Sequence, residues 1–275
     1  MTIKDALISS SIDPAESRIL LSHILKKDRL FLSVHCEKSL TDEQENLFFE
    51  YVNRRKNGEP LSYITGKREF YGREFAVSEH TLIPRPETEL IIDEAKKLFS
   101  KLDSIKILDL CTGSGCIGIT LSCEFPFSRV VCSDISAKAL SIVSKNICLF
   151  TEKYNLGGRW IDIVKSNMFE NVPKEKYNLI VSNPPYIPTD DIKDLDQDVQ
   201  REPKIALDGG KDGLDFYRII FEKAEDYLSE NGFLIVEIGY NQSDDIKRLA
   251  EKYDYACRFA KDLQGYERTA ILKLL

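Results

Sequence analysis

The apolar positions of the first 60 residues recur at the spacing of helices. Residues 13–16, Asp-Pro-Ala-Glu, combine a capping residue, a proline suited to a first helical turn and an acidic residue that favours a helix N-terminus. The apolar positions from Ile19 to Ile24 then fall on one helical face. Residues 41–44, Thr-Asp-Glu-Gln, form a second capping box ahead of another apolar stripe. The pattern predicts a small helical domain over residues 1–62.

The pattern changes at Tyr63, where aromatic and β-branched residues begin to alternate with glycines at turn positions. Such a stretch predicts a short pair of strands, and we assign residues 63–84 to a β-hairpin connector. Pro86 then suits the first position of a new helix, because its fixed φ is already helical. We therefore place the start of a second domain at residue 85.

Short apolar strands alternate with helical segments over the rest of the chain. The predicted strands are residues 105–110, 129–133, 161–165, 177–182, 233–238 and 270–275. This alternation is typical of a doubly wound α/β sheet, in which helices cover both faces. The predicted fold class is α/β, with residues 85–275 forming one domain behind the helical domain and the hairpin.

Composition and charge narrow the class of protein. The 275 residues include 38 Lys or Arg and 45 Asp or Glu, which gives a formal charge of −7. An acidic balance argues against affinity built on neutralising many backbone phosphates. The chain has no run of 18 apolar residues and no apolar segment of a signal peptide at its start. We therefore expect a cytoplasmic protein without a membrane partner, and nothing in the sequence demands more than a monomer.

Cysteine and histidine usage gives no sign of a metal. The seven cysteines include no C-x-x-C pair, and the three histidines are scattered along the chain. Neither a disulfide framework nor a zinc ribbon has this arrangement. We expect reduced thiols that fill the core, and no metal site.

A glycine-rich loop follows the predicted strand at residues 105–110. The segment Cys111-Thr112-Gly113-Ser114-Gly115 carries the chain from that strand into a helix, so that a ligand can approach bare backbone. The next strand leads to Asp134, whose carboxylate can accept hydrogen bonds from both hydroxyls of a ribose. Gly113, Gly115 and Gly118 match the dinucleotide fingerprint G-x-G-x-x-G, whereas Asp109 ahead of the glycines suits the S-adenosylmethionine version, so the motif by itself leaves the cofactor open.

The strand at residues 177–182 runs into Asn183-Pro184-Pro185-Tyr186, at the edge of the sheet where ligands bind. Two prolines fix the backbone and remove two N–H donors, so the Asn183 side-chain oxygen and the Pro184 carbonyl form a stiff pair of acceptors. The pair suits an NH₂ group on a planar carbon, because donating both protons orients the nitrogen and stabilises its developing charge. Tyr186 can pack its ring on the planar group. Hydride transfer has no use for this pair, so we predict methyl transfer from S-adenosylmethionine to nitrogen.

These residues closely resemble the PrmC/HemK family, the protein-(glutamine) methyltransferases that modify peptide chain release factors. The resemblance extends to residues 60–66, Pro-Leu-Ser-Tyr-Ile-Thr-Gly, and to residues 82–89, Leu-Ile-Pro-Arg-Pro-Glu-Thr-Glu. It also includes residues 201–203, 206–210 and 212–214. It implies a helical domain that helps dock the substrate, a hairpin, and a seven-stranded Rossmann-like methyltransferase domain. The implied substrate is the glutamine of the Gly-Gly-Gln motif in class-1 release factors.

The resemblance also implies a role for each matching position. Residues 111–115 would wrap the methionine part of the cofactor, Asp134 would hold the ribose, and residues 183–186 would hold the glutamine amide, with Asn183 also bordering the cofactor. Asn167 stands where related enzymes often carry an acid near the adenine amine, and its oxygen can still accept that hydrogen bond. Met168 would pack over the adenine. Cys111 stands where glycine is common, which leaves contact through its backbone only.

An adenine-N6 methyltransferase acting on DNA or RNA is the main alternative, because the adenine amine makes the same chemical demand. The acidic balance and the lack of a Lys/Arg-dense insert favour a protein substrate instead. A non-catalytic adenosyl-binding module is a third possibility, against which the intact acceptor pair argues. Glu87, Glu89 and Glu237 lie at the ends of predicted elements, where they could line the pocket. Helix capping or surface ion pairing is the default expectation for them.

Overall fold

The structure, a computed structural model, describes residues 1–154, 156–157 and 159–275. Its contacts divide the chain into two compact units. The first unit contains residues 1–67 and 196–201, and the second contains residues 68–195 and 202–275. Each unit has its own core.

Helices and strands account for most of the described residues. The helices are α1 (Ile3–Ser9), α2 (Pro14–Leu25), α3 (Arg29–Val34), α4 (Asp42–Lys56), α5 (Leu61–Thr65), α6 (Glu89–Leu98), α7 (Cys116–Glu124), α8 (Ala137–Tyr154), α9 (Gln197–Gln200), α10 (Asp215–Tyr227) and α11 (Ser243–Lys252). The strands are β1 (Lys67–Phe70), β2 (Arg73–Ala76), β3 (Lys106–Leu110), β4 (Arg129–Asp134), β5 (Trp160–Lys165), β6 (Tyr177–Ser182), β7 (Leu228–Glu237), β8 (Tyr255–Lys261) and β9 (Glu267–Leu274). No helix of the described ranges is long and apolar enough to cross a membrane.

The first unit is helical, and both of its predicted helix starts are confirmed. The side chain of Asp13 accepts hydrogen bonds from the backbone amides of Ala15 and Glu16 at the start of α2. Thr41 and Gln44 form a reciprocal capping box at the start of α4. Each such cap satisfies amides that a helix N-terminus leaves unpaired. The buried apolar core consists of Ile3, Ala6, Leu20, Leu21, Leu32, Leu40, Phe48, Val52 and Ile64.

The segment 196–201 belongs to this unit through an arginine on α4. The guanidinium of Arg55 donates to both carboxylate oxygens of Glu16 at 2.8 Å. Its Nη1 also lies 2.9 Å from Asp198 Oδ2. A planar guanidinium can serve two carboxylates at once, so Arg55 joins α2, α4 and the later segment.

The second unit contains a seven-stranded sheet with the order β5-β4-β3-β6-β7-β9-β8. The first five of these strands pair in parallel, whereas β9 is antiparallel to both β7 and β8. Side chains alternate between the two faces, so that Ile107 and Leu108 belong to different buried clusters. The seven-stranded Rossmann-like α/β fold expected from the sequence is confirmed.

The strand order reverses at β3, which pairs with β4 on one side and with β6 on the other. In the register of the sheet, Leu110 stands opposite Ser133 of β4 and opposite Ser182 of β6. The chain leaves all three strands at the same edge, which is where doubly wound sheets bind ligands. Cys111, Asp134 and Asn183 are therefore neighbours at this edge.

The structure departs from the predicted elements in a few places. Strand β8 has no counterpart among the predicted strands, because it lies at the edge of the sheet and only its first residue is buried. A separate two-stranded sheet, β1-β2, lies within residues 63–84. Pro86 begins a 3₁₀ helix, Pro86–Thr88, that precedes α6. The division at residues 62 and 84 stays a prediction.

Candidate active site

A cavity of about 1040 Å³, including its solvent-open part, lies at the carboxyl ends of β3, β4 and β6. Nine of the predicted site residues line it: Cys111, Thr112, Gly113, Ser114, Asp134, Asn167, Met168, Asn183 and Pro185. Gly115, Pro184 and Tyr186 are not among the lining residues. Several other lining residues have no role predicted from the sequence, among them His80, Thr81, Leu82, Pro84, Thr88, Ile205 and Phe216.

The loop after β3 owes its shape to three residues with left-handed backbone. Cys111, Gly113 and Gly115 have φ values of 57°, 56° and 81°. Adopting the left-handed backbone conformation costs a residue with a side chain about 1–2 kcal/mol, whereas glycine adopts it at almost no cost. A Cβ on Gly115 would also lie 3.0 Å from Ile119 and 3.1 Å from Val143. Cys111 is therefore strained at a position where glycine would fit without strain.

The buried carboxyl of Asp109 stabilises this loop through hydrogen bonds to the loop and to the first turn of α7. Its Oδ2 accepts hydrogen bonds from the Thr112 hydroxyl at 2.5 Å and from the Gly118 amide at 2.9 Å. Burial raises the pKa of this carboxyl to about 7. A Cβ on Gly118 would lie 2.7 Å from Cys132 Sγ and 2.9 Å from Asp109 Oδ2, so only glycine fits at that position.

Asp134 has two structural partners besides its predicted role. Its Oδ2 accepts a hydrogen bond from the Gly113 amide at 3.0 Å, and its Oδ1 accepts one from the Ser136 amide at 2.8 Å. Burial raises the pKa of this carboxyl. A carboxylate has about four acceptor positions, so it can hold the loop and still accept from a ligand in the cavity.

Asn167 and Met168 follow β5 on the same side of the cavity. The Asn167 amide donates from Nδ2 to Glu170 Oε1 at 2.8 Å, which directs its oxygen away from that glutamate. Met168 is buried and has a left-handed φ of 46°. Ser166 donates to the Met168 carbonyl at 2.8 Å and holds this turn. The Met168 sulfur lies 3.9 Å from that of Cys111, so the two strained residues meet.

The side-chain amide of Asn183 is held by a hydroxyl from the 3₁₀ helix Pro86–Thr88. Asn183 Nδ2 donates to Thr88 Oγ1 at 3.2 Å, and Thr88 Oγ1 donates to Glu237 Oε2 at 2.5 Å. The other carboxylate oxygen of Glu237 accepts from the Tyr186 hydroxyl at 3.2 Å. Asn183, Thr88 and Tyr186 are thus joined through Glu237.

Glu237 corrects the expectation of a cap or a surface ion pair. Its side chain ends β7 and is 0% exposed. Burial raises the pKa of this carboxyl, while the hydroxyl of Thr88 and the charge of Arg268 act in the opposite direction. Sequence reasoning missed it because its partner Thr88 lies 149 positions earlier in the chain. The only signal was an acidic residue after four apolar ones at the carboxyl end of a strand.

The backbone of Tyr186 is fixed by the stretch around residues 208–214. Gln242 Nε2 donates to the carbonyls of Tyr186 at 3.0 Å and Gly213 at 3.3 Å. A Cβ on Gly209 would lie 2.7 Å from Tyr186 Cα, and one on Gly213 would overlap the Tyr186 carbonyl oxygen. Tyr186 presents its ring to Arg268, whose guanidinium lies 6.0 Å from the ring centroid. The glycines of this stretch therefore allow the close approach that holds the end of the acceptor segment.

Glu202 anchors the stretch that contains Thr88. Its Oε2 accepts a hydrogen bond from the Ile83 amide at 2.9 Å, and its Oε1 accepts a short one from Arg85. The side chain of Glu202 is 1% exposed and that of Arg85 is 29% exposed, so the carboxylate is shielded from solvent while the arginine is partly exposed. Leu82, Pro84 and Thr88 of this stretch line the cavity, a function that their sequence alone did not reveal.

The cavity has the features that an adenosyl group requires. A Cβ built on Gly113 meets no atom within 4 Å, so there is free space beside the loop backbone. Asp134 brings a carboxylate with free acceptor positions to the cavity, and Met168 brings an apolar, polarisable surface. No group of His, Cys, Asp or Glu in the described ranges is arranged to hold a metal ion.

The fold and this site define a Rossmann-like methyltransferase, and comparison with known proteins agrees. The profile of the PrmC N-terminal domain matches residues 3–66, and that of the methyltransferase small domain matches residues 88–208. Methyltransferases of this class use S-adenosylmethionine in general. The crystal structure of the hMettl16 catalytic domain in complex with MAT2A 3'UTR hairpin 1 shares the fold, with a TM-score of 0.61. It is 15% identical, and the match covers 95% of this chain and 92% of that one.

Full-length relatives identify the family. The release factor glutamine methyltransferase of Clostridium acetobutylicum is 36% identical over 284 residues, which cover 98% of both chains. The bifunctional methyltransferase of Rickettsia felis is 38% identical over 293 residues, covering 96% of this chain and 55% of that protein. The chain thus spans about half the length of the Rickettsia relatives. It belongs to the release factor glutamine methyltransferase family.

Proposed function

We propose that this chain methylates the side-chain amide nitrogen of the glutamine in the Gly-Gly-Gln motif of class-1 peptide chain release factors. The observation that carries the proposal is the position of Asn183, which lines the same cavity as Asp134 and residues 111–114 of the loop. The similarity to a release factor glutamine methyltransferase over 98% of the chain supports the substrate. The helical domain 1–62 would dock the release factor, and the domain 85–275 would carry the reaction.

The acceptor pair would do the chemical work on the substrate. A carboxamide nitrogen is a poor nucleophile, because its lone pair is delocalised into the carbonyl. Accepting its two N–H protons at Asn183 Oδ1 and at the Pro184 carbonyl would hold that nitrogen in one orientation and stabilise its developing positive charge. Pro185 would keep the pair rigid, and Tyr186 would support it through its contact with Glu237.

The cofactor would be held by the opposite side of the cavity. S-adenosylmethionine supplies, when bound, an electrophilic methyl group on a positively charged sulfur. Asp134 would accept hydrogen bonds from its ribose, and residues 111–115 would surround its methionine part. Asn167 and Met168 would bind the adenine. The methylated amide nitrogen becomes strongly acidic and can lose its proton to water, so the reaction needs no general base.

The proposal predicts a cytoplasmic enzyme that acts as a monomer and does not bind nucleic acid directly. The test is transfer of labelled methyl from S-adenosylmethionine to a purified class-1 release factor, to its Gly-Gly-Gln variant with Gln→Asn, and to duplex DNA and RNA. Label on the intact factor alone is the expected result. Label on nucleic acid instead would support the adenine-N6 alternative and overturn the argument from charge.

A further inference from the structure

The two ends of the Asn183 side-chain amide have nearly the same shape and opposite hydrogen-bonding character. The oxygen accepts, and the nitrogen donates. The proposed function needs the oxygen end toward the substrate, since two N–H groups cannot pair with an NH₂ group. A hydrogen-bonding partner of Asn183 must therefore select one of the two orientations of this amide.

Thr88 makes that distinction through the direction of its own proton. Its hydroxyl carries one hydrogen, and this hydrogen is directed to Glu237 Oε2 at 2.5 Å. Burial raises the pKa of Glu237, whereas the hydroxyls of Thr88 and Tyr186 and the charge of Arg268 act against burial and favour the ionised carboxylate. An ionised carboxylate only accepts, so the Thr88 proton has no other direction. What remains on Thr88 Oγ1 is lone-pair density, which can pair with the nitrogen end of the Asn183 amide at 3.2 Å and not with its oxygen.

The surroundings of Glu237 fix the carboxylate in this arrangement. Its second oxygen accepts from the Tyr186 hydroxyl at 3.2 Å, and the Tyr217 hydroxyl donates to its backbone carbonyl at 2.8 Å. Arg268 Nη2 lies 3.5 Å from the Tyr186 hydroxyl and adds a positive charge behind it. Both carboxylate oxygens of this fully buried side chain are thus paired with hydroxyl donors, as a buried carboxylate requires.

We propose that Thr88 and Glu237 are positioning residues that orient the Asn183 amide with its oxygen toward the substrate nitrogen. The order of donors runs from Asn183 to Thr88 to Glu237, and it ends on a group that cannot donate. Neither residue touches the reacting atoms in this scheme. The inference rests on the proposed function and adds to it the origin of the amide's orientation.

If the hydrogen bonds between Asn183, Thr88 and residue 237 ran in the opposite direction, the side-chain amide of Asn183 would turn over. In Glu237→Gln, the new side-chain NH₂ group can donate to Thr88, which frees the threonine hydroxyl to donate to the Asn183 oxygen. The nitrogen end of Asn183 would then face the substrate and repel its amide. In Thr88→Val, the β-branched shape is kept and the hydroxyl is lost, so neither orientation is selected.

The experiment measures kcat and KM for a class-1 release factor at saturating S-adenosylmethionine in four proteins: wild type, Thr88→Val, Thr88→Ser and Glu237→Gln. We expect kcat to fall by roughly 10- to 100-fold in Thr88→Val and in Glu237→Gln, since misplacement at a reacting centre has costs of that order. The KM for the release factor should stay within about threefold, because the docking surface is unchanged. Thr88→Ser keeps the hydroxyl and should recover most of the turnover.

Two results would overturn the inference while leaving the proposed function intact. One is a wild-type enzyme that methylates the factor and a folded Thr88→Val variant with the same kcat. The other is a Thr88→Ser variant as impaired as Thr88→Val, which would indicate packing rather than hydroxyl direction. Thermal unfolding of each variant shows whether it is folded. If Glu237→Gln does not fold, the kcat of Thr88→Val relative to Thr88→Ser tests the inference. A wild-type protein that leaves the factor unlabelled would instead contradict the proposed function itself.

Discussion

The Asp134 carboxylate accepts a hydrogen bond of 3.0 Å from the backbone amide of Gly113. This contact ties the end of β4 to the loop that follows β3. The other carboxylate oxygen of Asp134 accepts a hydrogen bond from the backbone amide of Ser136, just before α8 begins. One side chain therefore shapes the loop and at the same time lines the cavity with free acceptor positions.

Replacement of Asp134 by asparagine should weaken cofactor binding. The change removes one acceptor oxygen and the negative charge, and hydrogen bonds to charged groups are worth roughly 1.5–3 kcal/mol. We expect the Kd for S-adenosylmethionine to rise by at least about 10-fold in calorimetry. Asp162→Asn on β5 is the matched control, because Asp162 pairs with Arg129 on an exposed surface. An unchanged Kd in Asp134→Asn would remove this carboxylate from the site.

Removal of the Asn183 amide should separate catalysis from cofactor binding. Asn183→Ala deletes the acceptor that would orient the substrate nitrogen, so we expect turnover to fall by at least roughly 100-fold. The Kd for S-adenosylmethionine should stay within a few-fold, because Asp134 and the loop 111–115 remain in place. Radiolabel transfer and calorimetry on the same preparation measure both quantities. Turnover close to that of the wild type would refute the orienting role.

The sequence predicted those parts of the site that depend on local patterns. The loop 111–115 and the segment 183–186 each follow an apolar strand directly, so their place at the sheet edge follows from chain direction and pairing alone. The same holds for Asp134 at the end of β4. Local pattern also sufficed for the helix caps of Asp13 and Thr41, since a cap involves residues two or three positions apart.

The parts that the sequence did not reveal depend on contacts between distant segments. Thr88 meets Glu237 across 149 positions, and Ile83 meets Glu202 across 119 positions. No periodicity connects such pairs, and a glutamate at the end of a strand is most often solvated. Strand β8 was missed for a different reason, because exposed residues at the sheet edge dilute the apolar signal on which strand prediction rests.

The buried carboxyl of Asp109 should make the protein less stable as pH rises from about 4 to about 7. Its pKa in the folded protein is raised to about 7, so the native state binds a proton that the unfolded chain has already lost. The stabilisation is complete below the ordinary aspartate pKa and is lost as pH rises through the folded value. One such proton changes the free energy of unfolding by up to roughly 1.4 kcal/mol per pH unit.

Urea unfolding of wild type and Asp109→Asn at several pH values between 4 and 8 tests this linkage. The asparagine variant has no group at this position that titrates between pH 4 and pH 8, whereas the wild-type carboxyl does. Its free energy of unfolding should therefore fall less steeply between pH 4 and pH 7 than that of the wild type. Glu237 and Asp134 have raised pKa values as well and are present in both proteins, so they cancel in the difference. Parallel pH profiles would contradict the assignment to Asp109.

A side chain at Gly209 should lower turnover without changing the residues that would bind the cofactor. A Cβ there would lie 2.7 Å from Tyr186 Cα and 2.9 Å from the Pro185 carbonyl oxygen, so backbone must move. We expect Gly209→Ala to lose about 1–3 kcal/mol of stability through overpacking. Displacement of residues 183–186 should lower kcat by roughly 100-fold, while the Kd for S-adenosylmethionine changes little. Gly72→Ala is the control, because a Cβ at Gly72 meets no atom within 4 Å and only its φ of 68° is strained. If both variants retain wild-type kcat, the contact between Gly209 and Tyr186 does not set the geometry of the acceptor pair.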